Sequence, residues 1–191
     1  ARELLCDRRL LRLSVMNMSA AAFSPIVSSW VVALLVEAGG YTTAKAGAVG
    51  SLTLLALVGS RPVAGQIVHR RPELVRPWVV ASAAMGVAGC GILVVAGPVW
   101  LAAAGCLLVG VASAVPWTYV FFRAPAVRPE AAGMSLAIVS GLPLLVAIAG
   151  IPLVGLTFAL PWDGRIGFVA VAAVWLLLAF VLPPRERARA S

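Results

Sequence analysis

The stretch "GSRPVAGQIVHRRPELVRP", residues 59–77, ends one long apolar run and begins a basic segment. It places Arg61 inside the apolar run and three further arginines just beyond its end. Positive charge at the exit of an apolar run is typical of a membrane-spanning helix that ends at the cytoplasmic surface. The composition agrees, because 62% of the 191 residues are hydrophobic and only 12% are charged. A soluble domain of this size has too little interior to bury so much apolar surface, so we expect most of the chain to lie in a lipid bilayer.

Six apolar runs are candidates for transmembrane helices, since about 20 apolar residues in a helix cross a hydrocarbon core about 30 Å thick. They cover residues 13–36, 46–68, 78–96, 99–122, 131–160 and 166–182. The fifth run contains Pro143 and Pro152, which predict either a bend or an initial segment on the membrane surface. The predicted fold class is an all-α polytopic membrane protein, a single bundle of six transmembrane helices with residues 1–12 and 183–191 as tails.

The distribution of basic residues predicts the orientation of this bundle. Twelve of the fifteen lysines and arginines precede the first run, follow the sixth, or lie in the loops after the second and fourth runs. The opposite side has only Lys45 and Arg165. The positive-inside rule therefore predicts that both tails are cytoplasmic, in a bacterial-type plasma membrane. The net charge of +8 then reflects topology, and we expect no nucleic-acid partner.

Polar residues follow one face of the first run and recur in the fourth. In the first run Asn17, Ser24 and Ser28 are spaced so that they share a helix face, and Ser113 and Trp117 do so in the fourth. A polar stripe on a membrane helix either hydrogen-bonds to a neighbouring helix or faces water. These five residues are therefore candidates for a substrate cavity, with helix packing as the alternative.

Arg61 is the sharpest feature of the sequence, because an arginine at the centre of a membrane helix costs at least about 2.5–3.5 kcal/mol on insertion scales. Snorkelling of its side chain towards the cytoplasm is one explanation. None of the six runs has an acidic residue at a comparable depth. The counter-charge would then be backbone carbonyls, an acid on a partner polypeptide or an anionic substrate, and the last makes Arg61 a cavity candidate.

The fifth run is rich in glycine and proline. Gly141, Pro143, Gly150 and Pro152 would allow either close helix packing or bending during a conformational cycle. The runs contain no Ser/His, paired-Asp or metal-ligand set, and the loops are too short for a soluble catalytic domain. We therefore expect no enzymatic activity, no metal and no cofactor.

Taken together, these residues resemble one six-helix half of a major facilitator superfamily (MFS) transporter. The family's signature between its second and third helices is Gly-x-x-x-Asp-(Arg/Lys)-x-Gly-x-(Arg/Lys). Here Gly65 stands for the first glycine, His69 at the aspartate position, Arg70 for the following base and Arg76 for a downstream base. "RPVAG", residues 61–65, also resembles the RPxxG of many members. In the family the aspartate of this motif pairs with basic residues across a cytoplasmic gate, and in this sequence His69 replaces that aspartate.

The resemblance also implies an arrangement. The signature is only partly matched here, and the fourth run has no membrane-embedded arginine. Both features resemble the C-terminal half of family members. Such a half consists of two inverted three-helix repeats. The first and fourth helices would line the path, the second and fifth would meet the other half, and the third and sixth would be peripheral.

The function implied is secondary active transport of a small solute by alternating access. Arg61 resembles the buried arginine of nitrate/nitrite porters, which implies a small anion, although their glycine-rich signature is not recognisable in the fifth run. An efflux pump for apolar cargo is a further option. The partners implied are the bilayer, a small-molecule substrate, and the other six-helix half in the same polypeptide or in a second chain. The alternative is a non-transporting six-helix scaffold or assembly partner.

Overall fold

The protein is described here by a computed structural model, which covers residues 7–178 and 180. Within those residues the chain is helical and contains no strand. The helices are α1 (Arg8–Glu37), α2 (Thr43–Arg70), α3 (Pro72–Val95), α4 (Val99–Val127), α5 (Pro129–Ala159) and α6 (Arg165–Leu178). The first five are long and apolar enough to cross a membrane, and α6 is apolar but shorter as described. This architecture is compatible with a multi-pass membrane protein.

Each of the six apolar runs lies on one of these helices, and the helices extend beyond the apolar runs at most ends. The end of the sixth run, both outer tail segments and the arginines at positions 2, 185, 187 and 189 lie outside the described residues. At the start of α1, Asp7 caps the helix by accepting a hydrogen bond from the backbone N–H of Arg9 at 2.9 Å. This cap explains why the helix begins before the apolar run does.

Helices α1 and α4 depart from regular α-helical geometry about half-way along. In α1 the turn Ser19–Phe23 is π-helical, and the Ser24 hydroxyl donates back to the Ser19 carbonyl at 3.2 Å. In α4 the helix is interrupted at Ser113, whose hydroxyl donates to the Gly110 carbonyl at 2.8 Å. A proline follows each irregularity within three residues and has no N–H to donate to the preceding turn.

Helix α5 is regular in comparison. It is continuous over Ala132–Leu156, with Pro143 and Pro152 inside the helix. The prolines therefore do not separate a surface segment from the rest of this helix.

Helices α1 and α4 form the centre of the bundle. In each of them 56% of the most apolar 18-residue window is buried, against 39% in α3 and 22% in both α2 and α5. Helix α1 packs most extensively along α5, α4 packs most extensively along α2, and α6 packs mainly on α3. The α2–α4 contact is close at Gly110, where a Cβ would collide with the Thr53 carbonyl.

The buried apolar residues form two clusters, one towards each end of the bundle. One contains Phe23, Leu34 and Trp175, and the other contains Leu10, Val68 and others towards the opposite end. The clusters meet at the level of the π-helical turn of α1 and the interruption of α4. Most of the buried polar side chains of the described residues lie near this level, namely Asn17, Ser19, Ser24, Thr53, Ser82 and Ser113, and the other two are Ser14 and Ser135.

The two ends of the bundle differ in charge. At one end Arg128, after α4, pairs with Asp7 at the start of α1, with a distance of 3.5 Å from Nε to Oδ2. At the other end Arg165 donates to the Ala38 carbonyl at 3.2 Å, and the Tyr41 hydroxyl donates to the Gly97 carbonyl at 2.6 Å. The helices therefore alternate in direction, and the loops rich in arginine share one end.

Candidate functional site

Arg61 of α2 lies against Trp117 of α4. The guanidinium carbon is 4.1 Å from the centre of the indole ring, and both side chains are half-buried. This is well within the range of about 6 Å at which the face of an aromatic ring attracts a cation. The aromatic ring is a partner that the sequence did not indicate, and no carboxylate of the described residues pairs with Arg61.

The aromatic surface continues beyond Trp117. The ring of Phe121, one turn further along α4, stacks on the indole at 4.4 Å between centroids with an interplanar angle of 24°. No described residue accepts a hydrogen bond from the Arg61 guanidinium, so its N–H groups remain available to an acceptor beside the ring. The pair therefore presents hydrogen-bond donors beside an apolar wall.

Two residues of the predicted gate motif continue the α2 face that carries Arg61. Gly65 is one turn further along, and a Cβ built there would meet nothing within 4 Å. His69 is one turn further again, exposed, with its ring edge-on to Phe122 at 5.9 Å between centroids. Arg61, Gly65 and His69 thus form one row on α2, opposite an aromatic row on α4. The structure therefore places a cavity candidate, Arg61, and two residues of the predicted gate motif on one face of α2.

The other two basic residues of the motif lie beyond this row. Arg70 is the last residue of α2 and is exposed, and Arg76 is half-buried near the start of α3. They are at the same end of the bundle as Arg128 and Asp7.

Three of the predicted cavity residues are buried between helices. Asn17 Nδ2 donates to the Val139 carbonyl of α5 at 3.0 Å, which joins α1 to α5. The Ser24 hydroxyl donates to the Val109 carbonyl of α4 at 3.4 Å, and Ser113 bonds within its own helix. This geometry favours helix packing over a cavity role for these three. Ser28, by contrast, is half-buried and lies next to the exposed Ser29.

Some of the glycines and prolines of α5 lie in contacts with other helices, and others do not. A Cβ at Gly150 would approach the Ile26 side chain of α1 to 2.5 Å, so this glycine permits close helix contact. A Cβ at Gly141 would meet nothing within 4 Å. Pro143 is buried and Pro152 is exposed. Close packing thus explains Gly150, whereas the bundle's packing does not explain Gly141.

Phe121 and Phe122 were not identified from the sequence. The four-residue spacing from Trp117 to Phe121 could have indicated a shared aromatic face. The spacing alone could not have indicated that this face lies against Arg61.

Comparison with known proteins gives no assignment of this chain. No protein-family model matches it, and no curated protein matches it in sequence.

Proposed function

We propose that this chain is a six-helix unit of an MFS-type secondary transporter, which carries a small solute across the plasma membrane by alternating access. The observation that carries the proposal is the half-buried Arg61 guanidinium, which lies on the Trp117 ring without a carboxylate partner among the described residues. Arg61 lies nine residues before the end of α2, which is about 13 Å along the helix axis.

The chemistry of this site favours an anion. A cation at this depth normally faces a partner or a water-filled cavity. The indole compensates part of the lost hydration, and the edge of the guanidinium remains able to bind an oxoanion or carboxylate. We therefore propose a small anion as the substrate, and efflux of apolar cargo along the aromatic row is the second option.

The packing supports an arrangement of two three-helix repeats, α1–α3 and α4–α6. If the two repeats are equivalent, α1 corresponds to α4 and α2 corresponds to α5. The contact between α1 and α5 then corresponds to the contact between α4 and α2. These are the most extensive contacts that α1 and α4 make. Helix α6 departs from the pattern, since α3 packs extensively on α4 while α6 makes little contact with α1.

Residue-level features support the same relation. A similar pattern of glycine and proline occurs in α2 and α5. It is "GSRPVAG" at residues 59–65 and "GIPLVG" at residues 150–155, and the matching glycines and prolines are 90 or 91 residues apart. In the first segment Trp117 of α4 contacts Arg61, just before Pro62. In the second, Trp30 Nε1 of α1 donates to the carbonyl of Ile151, just before Pro152, at 2.7 Å. A tryptophan of each central helix thus contacts the residue before the shared proline.

The apolar faces of α2 and α5 support the proposed partner, a second six-helix half. Large side chains on both helices are more than half exposed; they include Leu54, Leu55, Val58, Leu144, Leu145 and Ile148. In the proposed orientation the end that carries Arg70, Arg76 and Arg128 faces the cytoplasm.

The decisive experiment is transport by the full-length native polypeptide in proteoliposomes, with nitrate and formate as probe anions and an apolar dye as the efflux probe. Arg61→Ala should abolish anion uptake while insertion and folding are retained. Arg71→Ala, which removes an exposed arginine outside the helices, is the matched control and should transport normally. Normal uptake by Arg61→Ala would contradict the assignment of the site.

A second measurement separates transport from the alternative, a scaffold or assembly partner. The native polypeptide is sized in its source membranes with an antibody against "PPRERARAS", residues 183–191. A band near twice the length of this chain supports one half of a twelve-helix transporter. A band at this length, together with loss of assembly in Arg61→Ala, would favour the scaffold.

A further inference from the structure

A small cavity lies where four helices meet, at the level that separates the two apolar clusters. It is lined by residues of α1, α3, α4 and α6, which include Met16, Ser19, Ser82, Pro116 and Trp175. The cavity borders the π-helical turn of α1 through Ser19 and the irregular part of α4 through Pro116. It offers about 10 Å³ to the centre of a water molecule, which is close to the minimum that one water occupies.

Two polar groups of the cavity wall have no hydrogen-bond partner. The Ser82 hydroxyl of α3 and the Trp175 Nε1 of α6 are buried and unpaired among the described residues. The Ser82 residue is 1% exposed and the Trp175 residue is 0% exposed. An unpaired buried donor costs about 1–3 kcal/mol, so groups of this kind are normally satisfied by protein or by ordered water.

The surroundings of Trp175 hold its ring in place. The indole packs on Gly86 of α3, where any Cβ would collide with the ring, and its centroid is 5.6 Å from that of Phe23. The indole is therefore held between α3 and α1, and turning its ring would displace one of these helices.

A third polar group completes the set. The Ser19 hydroxyl, 5% exposed, donates to the Met16 carbonyl at 3.1 Å. Its oxygen keeps its lone pairs and can still accept a hydrogen bond. The cavity wall thus offers three polar groups. Trp175 Nε1 can donate, the Ser82 hydroxyl can donate or accept, and Ser19 Oγ can accept.

We infer that this cavity is a binding site for a single structural water molecule that links α1, α3 and α6. The water accepts from Trp175 Nε1, exchanges a hydrogen bond with the Ser82 hydroxyl and donates to Ser19 Oγ. Three hydrogen bonds are the number that buried waters typically make. An apolar cavity of this size would stay dry, but this one has three polar groups in its wall. Binding of this water does not depend on any transport activity.

The test is NMR of the full chain with ¹⁵N-labelled indoles in lipid nanodiscs. The Trp175 indole signal is identified by its loss in Trp175→Phe, and magnetisation transfer from water to each indole N–H is measured. Transfer to Trp175 is expected. Trp30, whose N–H is bonded to the Ile151 carbonyl, is the internal negative control, and Trp162, which is 68% exposed, is the positive control. Absence of transfer at Trp175 while Trp162 shows it would overturn the inference.

A variant then locates the water. Ser82→Val fills the cavity with a methyl group and should abolish the transfer at Trp175 while leaving that at Trp162 unchanged. An unchanged Trp30 signal shows that the variant is folded. If transfer at Trp175 persisted in the folded variant, the water would not be held in this cavity. Should Ser82→Val fail to fold, Ser82→Ala removes one partner and should weaken the transfer, and an unchanged transfer would exclude Ser82 as a ligand.

Discussion

The guanidinium of Arg61 lies 4.1 Å from the centre of the Trp117 ring, so the deepest basic residue of α2 is paired with an aromatic side chain of α4. The contact links α2, which ends in the basic residues His69 and Arg70, to one of the two central helices. It also explains how a cation is retained at this depth without a carboxylate partner in the described part of the chain.

This contact should contribute measurably to stability. A double-mutant cycle with Arg61→Gln and Trp117→Leu is expected to give a coupling free energy of about 1 kcal/mol, the scale of a partly desolvated cation–π pair. The measurement is the free energy of unfolding in mixed detergent and denaturant. As a control, Arg61→Gln and Trp100→Leu should be additive, because Trp100 is 70% exposed and lies near the start of α4, several turns from Trp117. Additivity in both cycles would contradict the pairing.

The Trp30–Ile151 hydrogen bond is expected to stabilise the α1–α5 interface. Trp30→Phe removes the donor but retains an aromatic ring against Phe158, which lies 5.3 Å away between centroids. We expect a loss of about 0.5–1.5 kcal/mol in the free energy of unfolding. Trp100→Phe, at an exposed position, should be neutral. Equal effects of the two substitutions would rule out a stabilising role for the hydrogen bond.

The close approach of α2 and α4 depends on Gly110. Gly110→Ala would drive a Cβ into the Thr53 carbonyl and towards the Leu57 backbone nitrogen, and backbone atoms cannot give way as a side chain can. We expect a loss of about 1–3 kcal/mol in stability. The matched substitution is Gly59→Ala in α2, where a Cβ meets nothing within 4 Å, and the gain in helix propensity should make it neutral or stabilising by up to about 1 kcal/mol. A reversed order of the two variants would show that the interface is built differently.

Asp7 is predicted to stabilise the start of α1 in a pH-dependent manner. The hydrogen bond from the Arg9 backbone N–H is the largest influence that lowers the pKa of Asp7, and Arg128 adds to it. Because the pKa is lower in the folded state, the stabilisation is complete above the ordinary carboxyl pKa and is lost as pH falls through the folded-state pKa.

Two substitutions separate the contributions of Asp7. Asp7→Ala should lower stability by about 1 kcal/mol at neutral pH, through loss of the helix cap. Asp7→Asn retains a cap acceptor and should lose less. Melting temperatures from pH 3 to pH 7 provide the measurement, and the acid-dependent part attributable to Asp7 should be missing in Asp7→Asn. An undiminished acid dependence in that variant would assign it to other groups.

The orientation can be measured directly in intact cells. In a background that lacks the three native cysteines, Thr43→Cys and Arg71→Cys introduce thiols at opposite ends of α2, where both residues are exposed. A membrane-impermeant maleimide should label the cysteine at position 43 from outside and should label that at position 71 only after lysis. The reverse result would invert the proposed topology.

The sequence by itself determined the helices and the asymmetry of charge between their ends. Apolar runs long enough for a membrane leave few alternatives to a helix, because every backbone N–H and C=O must be paired within the segment. It also singled out Arg61 and Asn17 as polar residues that require a partner. Helical spacing showed which residues share a face of one helix, but it could not show which helix that face meets.

Only the tertiary structure decided which polar residue met which partner. Asn17 lies against a carbonyl of α5, Arg61 lies on a tryptophan of α4, and Ser82 and Trp175 border one small cavity. These residues are far apart in the chain, and their meeting depends on which helices become neighbours and at what register. Packing between whole helices sets that register, through close contacts such as the one at Gly110, and no local pattern in the sequence encodes it.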